Sequence, residues 1–231
     1  MMERKYFLSS YGRVSYIFRK GEMPIIGLHG LGSSSKSFAK LDSLIDKKFS
    51  LYFIDLLGHG ESEKNPEGYS IDDQIMVLKE FIDKELSNIE PLIMGNSYGG
   101  WISILYTIKF NFTRGLILID SAGLNPPVGE FGEKYIELFV ESISKNEYDK
   151  MIFKNMIMMN SKRRRIDPEE LKKIKCKTVI IWGRDDYIIE ISYAEKFHEF
   201  IENSKLYIIN GGHMPMLDNP TSVSEIINKE F

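Results

Sequence analysis

The chain has 231 residues, of which 43% are hydrophobic and 27% charged, and its formal net charge is −3 at pH 7. A chain this apolar can bury a sizeable core, which excludes disorder as its overall state. Acidic and basic residues are interspersed, so we expect no basic surface that binds nucleic acid. The single cysteine, Cys176, can form neither an internal disulfide nor, alone, a zinc site.

Other sequence patterns predict where the protein is located and whether it uses a cofactor. No window is apolar for long enough to span a membrane, and the first residues lack the apolar core of a signal peptide. We therefore expect a cytoplasmic protein without a membrane span. Since the sequence shows no cluster of metal ligands and no phosphate-binding loop, neither a metal nor an organic cofactor is expected. A monomer and a homodimer agree equally with the sequence.

Short apolar runs, glycine-containing turns and helical patterns recur along the chain. Residues 7–18 predict an antiparallel hairpin that turns near Tyr11 and Gly12. Six apolar runs then predict strands, at residues 24–28, 51–54, 91–94, 115–119, 178–182 and 206–209. Because these runs are apolar throughout, the strands are expected to be parallel and covered on both faces. Strands that alternate with helices predict a doubly wound α/β sheet.

Two of the intervals between strands carry clear helix signals. Ser70 is suited to cap a helix whose apolar residues share one stripe, at Ile71, Ile75, Leu78 and Ile82. The interval after the sixth strand is too long for one crossover helix. We therefore predict a small helical cap over residues 124–166, inserted between core segments 1–123 and 167–231. Asp167 and Pro168 predict the start of the helix that leads back to the sheet.

The basic run 162–165 is expected on the cap surface, or at a substrate carboxylate if it folds inward.

A Gly-x-Ser-x-Gly motif lies between a predicted strand and a helix that we expect to begin at Trp101. Its residues are Gly95, Ser97 and Gly99. A serine on a sharp strand-to-helix turn needs small neighbours, and its hydroxyl projects from the sheet edge. The helix N-terminus offers N–H groups to a developing negative charge. The bare motif is common by chance, so the strand and helix around it carry the prediction of a nucleophile.

An activated serine needs a basic histidine, and that histidine needs an acid. His213 follows the last predicted strand, in a glycine-rich loop, whereas His198 is expected on a helix surface. Asp185 and Asp186 follow the preceding strand, and the residues alone leave both open as the acid. The order serine, aspartate, histidine, each just after a strand, predicts a catalytic triad.

In these motifs the chain resembles the α/β-hydrolase superfamily of serine hydrolases, and the resemblance covers nearly all of it outside the cap. The matching segments are residues 29–32, 55–62, 95–99, 183–186 and 212–213. The resemblance implies an α/β-hydrolase fold with Ser97 as the nucleophile and His213 as the base. In such acid loops the triad acid stands three residues after the glycine, which favours Asp186 over Asp185.

The resemblance also implies the surroundings of the triad. The backbone N–H groups of Leu31 and Tyr98 would form the oxyanion hole. His29, His59 and Asp55 would support turns rather than take part in the reaction. The expected substrate pocket consists of Gly30, Leu31, Tyr98, Leu124, Phe139, Met156 and Met214.

A serine at the turn, where related dehalogenases and epoxide hydrolases have aspartate, implies acyl transfer. The leading expectation is a carboxylesterase acting on small-molecule esters of short to medium acyl chain. A C–C bond hydrolase of aromatic ring-fission products is an alternative, because residues 95–100 resemble the turn of that group. Met214 departs from that group, which commonly has tryptophan there. Lactonases and aminopeptidases share the machinery. A non-catalytic binding protein would have no need of a complete set of Ser97, Asp186 and His213.

Overall fold

A computed structural model describes residues 2–65, 69–87, 89–161 and 165–231. Within them, eight strands form one sheet: β1 (Glu3–Ser9), β2 (Gly12–Arg19), β3 (Met23–Leu28), β4 (Phe49–Ile54), β5 (Leu92–Asn96), β6 (Gly115–Ile119), β7 (Lys177–Gly183) and β8 (Ser204–Ile209). Their order across the sheet is β1-β2-β4-β3-β5-β6-β7-β8. The pairs β1–β2 and β2–β4 are antiparallel, and the remaining pairs are parallel. The predicted mostly parallel sheet is confirmed.

Helices cover both faces of the sheet. They are α1 (Ile71–Glu85), α2 (Tyr98–Phe110), α3 (Glu133–Ile143), α4 (Glu147–Asn160), α5 (Pro168–Leu171), α6 (Ser192–Phe200), α7 (Pro215–Asp218) and α8 (Pro220–Glu230), with short 3-10 helices at Ser35–Leu41 and Val128–Phe131. Among the described residues, no helix combines the length and apolarity that crossing a bilayer requires.

Neighbouring residues of each central strand pack into two different apolar cores. Ile26 and Ile93 belong to the core that contains residues of α1, α2 and α6. Ile25 and Leu92 belong to the core that contains residues of α8 and the first 3-10 helix. Burial of both faces explains why the strand sequences are apolar throughout, and it confirms the predicted doubly wound architecture.

The helix signals at α1 match the structure closely. Ser70 and Asp73 form a reciprocal cap, in which the Asp73 N–H donates to Ser70 Oγ and the Ser70 N–H donates to Asp73 Oδ2. The four residues of the predicted stripe are all buried.

The interval between β6 and β7 is helical, as predicted for an insertion after the sixth strand. It contains the second 3-10 helix, α3 and α4, and Asp167 caps α5 with Pro168 at its first position. Of the basic run, residues 162–164 lie outside the described residues. Arg165 pairs with Glu130 at 2.6 Å.

The opening hairpin differs slightly from its prediction. The turn lies at Ser10 and Tyr11, and Gly12 begins β2 with φ +135°. The hairpin also starts earlier than residue 7, because the polar residues from Glu3 onward pair with β2 at the sheet edge.

Phe81 of α1 offers a direct test of this packing. Its side chain is fully buried, and its ring lies 5.7 Å from that of Phe7 and 5.1 Å from that of Tyr16, measured between centroids. We expect Phe81→Ala to lower the free energy of unfolding by about 3–5 kcal/mol, because it leaves a cavity. The matched control is Phe131→Ala, since Phe131 is 56% exposed. Urea denaturation of both variants checks the prediction, and equal losses would contradict it.

Candidate active site

Ser97 lies at the turn between β5 and α2, with φ +52° and ψ −116°. Such a conformation costs about 1–3 kcal/mol for a residue with a side chain. Backbone hydrogen bonds hold it there. The Ser97 N–H donates to the Ile119 carbonyl at 3.1 Å, and the Ser97 carbonyl accepts from Trp101 at 3.1 Å and from Ala122 at 3.0 Å. Ser97 contributes to the wall of a cavity.

The glycines beside Ser97 are required by close backbone contacts. A Cβ on Gly99 would lie 2.1 Å from the carbonyl oxygen of Leu28, and a Cβ on Gly95 would lie 2.4 Å from that of Gly99. The prediction that the helix begins at Trp101 is therefore wrong. The helix begins at Tyr98, because its glycine-containing first turn packs directly against the end of β3.

The loop after β3 lies against the serine. A Cβ on Gly30 would be 3.2 Å from Cβ of Ser97. Leu31 and Tyr98 line the same cavity as Ser97, and Tyr98 is the first residue of α2, where backbone N–H groups point out of the helix. This arrangement agrees with an oxyanion hole at Leu31 and Tyr98, which stays a prediction.

His213 and Asp186 form a hydrogen bond of 2.8 Å between Nδ1 and Oδ2. The backbone N–H groups of Ile188 and Ile189 donate to Oδ1 of Asp186 at 2.8 and 3.0 Å. Burial alone would raise the pKa of Asp186, but the interaction with His213 and the two N–H donors lower it below its usual value. Asp186 is buried and Asp185 is exposed, so the geometry favours Asp186 as the partner of His213.

Asn96 ties the histidine loop to the serine turn. Its Nδ2 donates to the carbonyl of His213 at 3.0 Å and to that of Ile119 at 3.1 Å. Because Asn96 directly precedes Ser97, this bond holds the backbone of residue 213 beside the turn. With Nδ1 of His213 donating to Asp186, Nε2 carries the lone pair of the neutral ring.

Asp120, at the end of β6, is a member of the site that the sequence analysis missed. Its side chain is buried, and Oδ1 accepts the N–H of Gly183 at 2.9 Å. One atom each from Asp120, Asp186 and His213 lie within 4.8 Å of one another. Burial raises the pKa of Asp120 to about 9; the Gly183 N–H opposes this shift and the charge of Asp186 adds to it. Two carboxyls and an imidazole so close together are not by themselves evidence of a bound metal ion, and the expectation of no metal stays a prediction.

The residues expected to support turns make the hydrogen bonds of such a role. His29 accepts the N–H of Leu56 at 3.0 Å. Burial lowers the pKa of His29, and it lowers that of His59 to about 3, so both rings are neutral. Asp55 accepts two backbone N–H groups. His198 is exposed on α6, as expected.

A cavity of about 330 Å³ opens at Ser97. The residues predicted for the pocket that do line it are Leu31, Tyr98, Phe139 and Met156. Other apolar residues that line it include Trp101, Val128, Phe131, Tyr135, Ile157, Ile188 and Ile189. The wall is therefore formed jointly by the core and by the helical insertion.

Three residues predicted for the pocket do not line this cavity. Gly30 lies against Ser97 but adds no side chain to the wall. Leu124 packs into the core that contains α1 and α2, and Met214 packs against the core on the opposite face of the sheet. Sequence reasoning also missed Glu190, which lines the cavity. The sequence marked the loops that reach the site but not the direction in which their side chains point.

Comparison with known proteins agrees with this geometry. Residues 25–226 match the model of the alpha/beta hydrolase family, which is most of the chain. The chain therefore belongs to the α/β-hydrolase family, and it is a hydrolase of the α/β fold.

Several curated proteins with different activities are similar to this chain at low sequence identity. An uncharacterized hydrolase, YugF, of Bacillus subtilis is 26% identical, with 90% of this chain and 89% of the relative covered. The 2-hydroxy-6-oxo-6-(2'-aminophenyl)hexa-2,4-dienoic acid hydrolase of Metapseudomonas resinovorans is also 26% identical, with 87% and 81% covered. Monoacylglycerol lipase ABHD6 of Mus musculus is 24% identical, with 92% and 77% covered.

The solved structure of a serine hydrolase involved in carbazole degradation, the CarC enzyme, superimposes with a TM-score of 0.85 at 21% identity. The alignment covers 99% of this chain and 98% of that chain. At this identity the likeness supports the fold alone.

The raised pKa of Asp120 predicts a pH-dependent stability. Between its ordinary pKa and the raised one, the folded chain holds a proton that the unfolded chain has lost, so the free energy of unfolding falls as pH rises. Asp120→Asn removes this titration. Relative to the unmodified chain, we expect the variant to gain about 1 kcal/mol or more in stability between about pH 4.5 and about pH 8. Thermal unfolding at both pH values checks this, and a difference in Tm that does not change with pH would contradict it.

Proposed function

We propose that this hydrolase cleaves carboxylic esters of short to medium acyl chain through an acyl-enzyme, with Ser97, His213 and Asp186 as its catalytic triad. One observation carries the proposal. A serine in a strained strand-to-helix turn lines an apolar cavity, and the loop that is hydrogen-bonded to this turn carries a histidine whose ring is hydrogen-bonded to a buried carboxylate.

In the first step, Nε2 of His213 takes the proton of the Ser97 hydroxyl while Oγ forms a bond to the ester carbonyl carbon. The carbonyl electron pair moves onto its oxygen. The N–H groups of Leu31 and Tyr98 stabilise that oxyanion, at about 3–4 kcal/mol for a donor of this kind. Asp186 stays ionised and stabilises the imidazolium.

In the second step, His213 gives the proton to the leaving alkoxide oxygen, and the C–O bond breaks as the carbonyl re-forms. An acyl group then remains on Ser97 Oγ. Water attacks this acyl carbon while His213 takes its proton, and collapse of the second oxyanion returns that proton to Ser97. The products are an alcohol and a carboxylic acid, and the enzyme is regenerated.

The cavity supports a small, neutral, apolar substrate. Its volume lies at the lower end of the usual range for ligand pockets, about 300–1,000 Å³. The described residues that line it include the carboxylate of Glu190 and neither lysine nor arginine. Because this wall carries a negative charge and no positive one among the described residues, it favours neutral esters over substrates that carry a carboxylate.

A C–C bond hydrolase is the second candidate, supported by the relative from Metapseudomonas resinovorans. Its mechanism would use the same serine site. The negative charge of Glu190 disfavours a dienoic acid as substrate, which places this activity second. Lactones and amides are cleaved by the same kind of serine site, so both belong among the substrates to be assayed.

Ser97→Ala tests the nucleophile. With p-nitrophenyl butyrate as substrate, we expect kcat to fall by about 10⁴-fold or more, because the variant lacks the hydroxyl that attacks the ester carbonyl. Ser10→Ala, in the exposed turn between β1 and β2, is the matched control and should keep the activity of the unmodified chain.

The outcomes separate the candidates. Equal and slow release of nitrophenol by the unmodified chain and by Ser97→Ala would overturn the esterase proposal. Rapid turnover of a dienoate ring-fission product, together with poor ester turnover, would establish the C–C bond hydrolase instead.

A pair of matched variants tests the acid. We expect Asp186→Asn to lower kcat by about 10³–10⁴-fold, because the His213 ring loses the carboxylate that fixes its tautomer. Asp185→Asn should leave kcat nearly unchanged, since Asp185 is exposed to solvent. Steady-state kinetics of both variants decide the assignment, and a larger loss in Asp185→Asn would reverse it.

A further inference from the structure

Asp120 is a buried carboxyl that the proposed reaction does not use. Its φ is +44°, and its N–H donates to the Ile181 carbonyl at 3.1 Å. Oδ1 accepts the N–H of Gly183, whereas Oδ2 is buried and receives no N–H or O–H from the described part of the chain; its hydrogen-bonding neighbour is the side chain of Asp186. The side chain has no exposure to solvent, so substrate does not reach it. Any role of Asp120 in the reaction must therefore act through the residues that surround it.

The groups that act on Asp120 come from three separate elements. Asp186 lies on the loop after β7, His213 on the loop after β8 and Asp218 on α7. Oxygen atoms of Asp120 and Asp186 lie within 4.8 Å of each other and of a His213 ring nitrogen. Because Asp120 is fully buried and lies next to the charge of Asp186, ionising it as well is unfavourable near neutral pH, so the pair holds one proton.

The hydrogen bonds of the pair show which carboxyl keeps that proton. Asp186 accepts from His213 and from the N–H groups of Ile188 and Ile189. Asp120 accepts from the single N–H of Gly183. Three donors stabilise a carboxylate better than one, so the negative charge resides on Asp186 and the proton on Asp120.

We propose that Asp120 is a positioning residue for the triad: it holds the proton of the carboxyl pair, so that Asp186 remains the carboxylate that hydrogen-bonds Nδ1 of His213. This inference rests on the proposed function of Ser97, His213 and Asp186.

Asp120 also fixes the loop that carries Asp186. Gly183, to which it is bonded, is the last residue of β7 and precedes that loop. A Cβ on Gly183 would lie 2.1 Å from the carbonyl oxygen of Gly212, so the acid loop and the histidine loop are in backbone contact there. A shift at Gly183 therefore changes the positions of Asp186 and His213 together.

Two substitutions separate the proton from the bulk of the side chain. Asp120→Asn keeps an oxygen that accepts from Gly183 and presents a neutral N–H donor in place of the protonated oxygen. Asp120→Ala removes both the acceptor and the donor. With p-nitrophenyl butyrate, we expect Asp120→Ala to lower kcat by about tenfold or more with little change in KM, and Asp120→Asn to recover most of that loss.

The pH profile gives a readout that a purely structural role would not move. In the unmodified chain kcat should decline on the alkaline side, where Asp120 ionises and a second negative charge repels Asp186. Asp120→Asn should lack this decline. Unchanged kcat and an unchanged pH profile in both variants, whatever their Tm, would overturn the proposal. Equal loss in both variants would overturn it as well.

A spectroscopic measurement tests the inference independently of turnover. The proton on Nδ1 of His213 should give a downfield NMR resonance that is kept in the unmodified chain and in Asp120→Asn but shifts or disappears in Asp120→Ala. If the unmodified chain shows no esterase activity, the proposed function fails, and this resonance still decides the role of Asp120. An identical resonance in all three proteins would overturn that role.

Discussion

The left-handed backbone of Ser97 is the constraint on which the rest of the site depends. A residue with a side chain adopts this conformation only where its surroundings hold it. Here Gly99 packs against the Leu28 carbonyl, and three backbone hydrogen bonds fix Ser97 itself. The strand and the helix can therefore meet at one residue, whose hydroxyl is directed to the edge of the sheet. A side chain at position 99 would separate β3 from α2 and release the turn.

The parallel sheet brings the other groups to the same edge. The loops after β3, β6, β7 and β8 supply Leu31, Asp120, Asp186 and His213, from positions far apart in the sequence. Asn96 then links the histidine loop to the serine turn through the His213 carbonyl. The neutral rings of His29 and His59 keep additional charge away from this edge. The proposed mechanism thus combines one ionised carboxylate with one base beside an apolar cavity.

Much of this could be predicted from the sequence, because burial on both faces makes the strands of a parallel sheet uniformly apolar. The cap of α1 at Ser70 could also be predicted, since capping depends on residues close in sequence. The start of α2 could not be predicted, because it depends on contact between Gly99 and β3. The place of Leu124 and Met214 in the chain predicts both for the pocket, yet Leu124 packs within one core and Met214 packs against the other. Asp120 was missed because its significance depends on Asp186, a residue brought near only by the pairing of β6 with β7.

The most direct test of the central claim is to label the protein with a fluorophosphonate and to map the modified peptide by mass spectrometry. Such a reagent reacts with a serine hydroxyl that an adjacent base has activated. The structure leads us to expect a single modified residue, Ser97, with labelling greatly slowed in a His213→Ala variant. Modification at another serine, or labelling of Ser97 at the same rate without His213, would contradict the account.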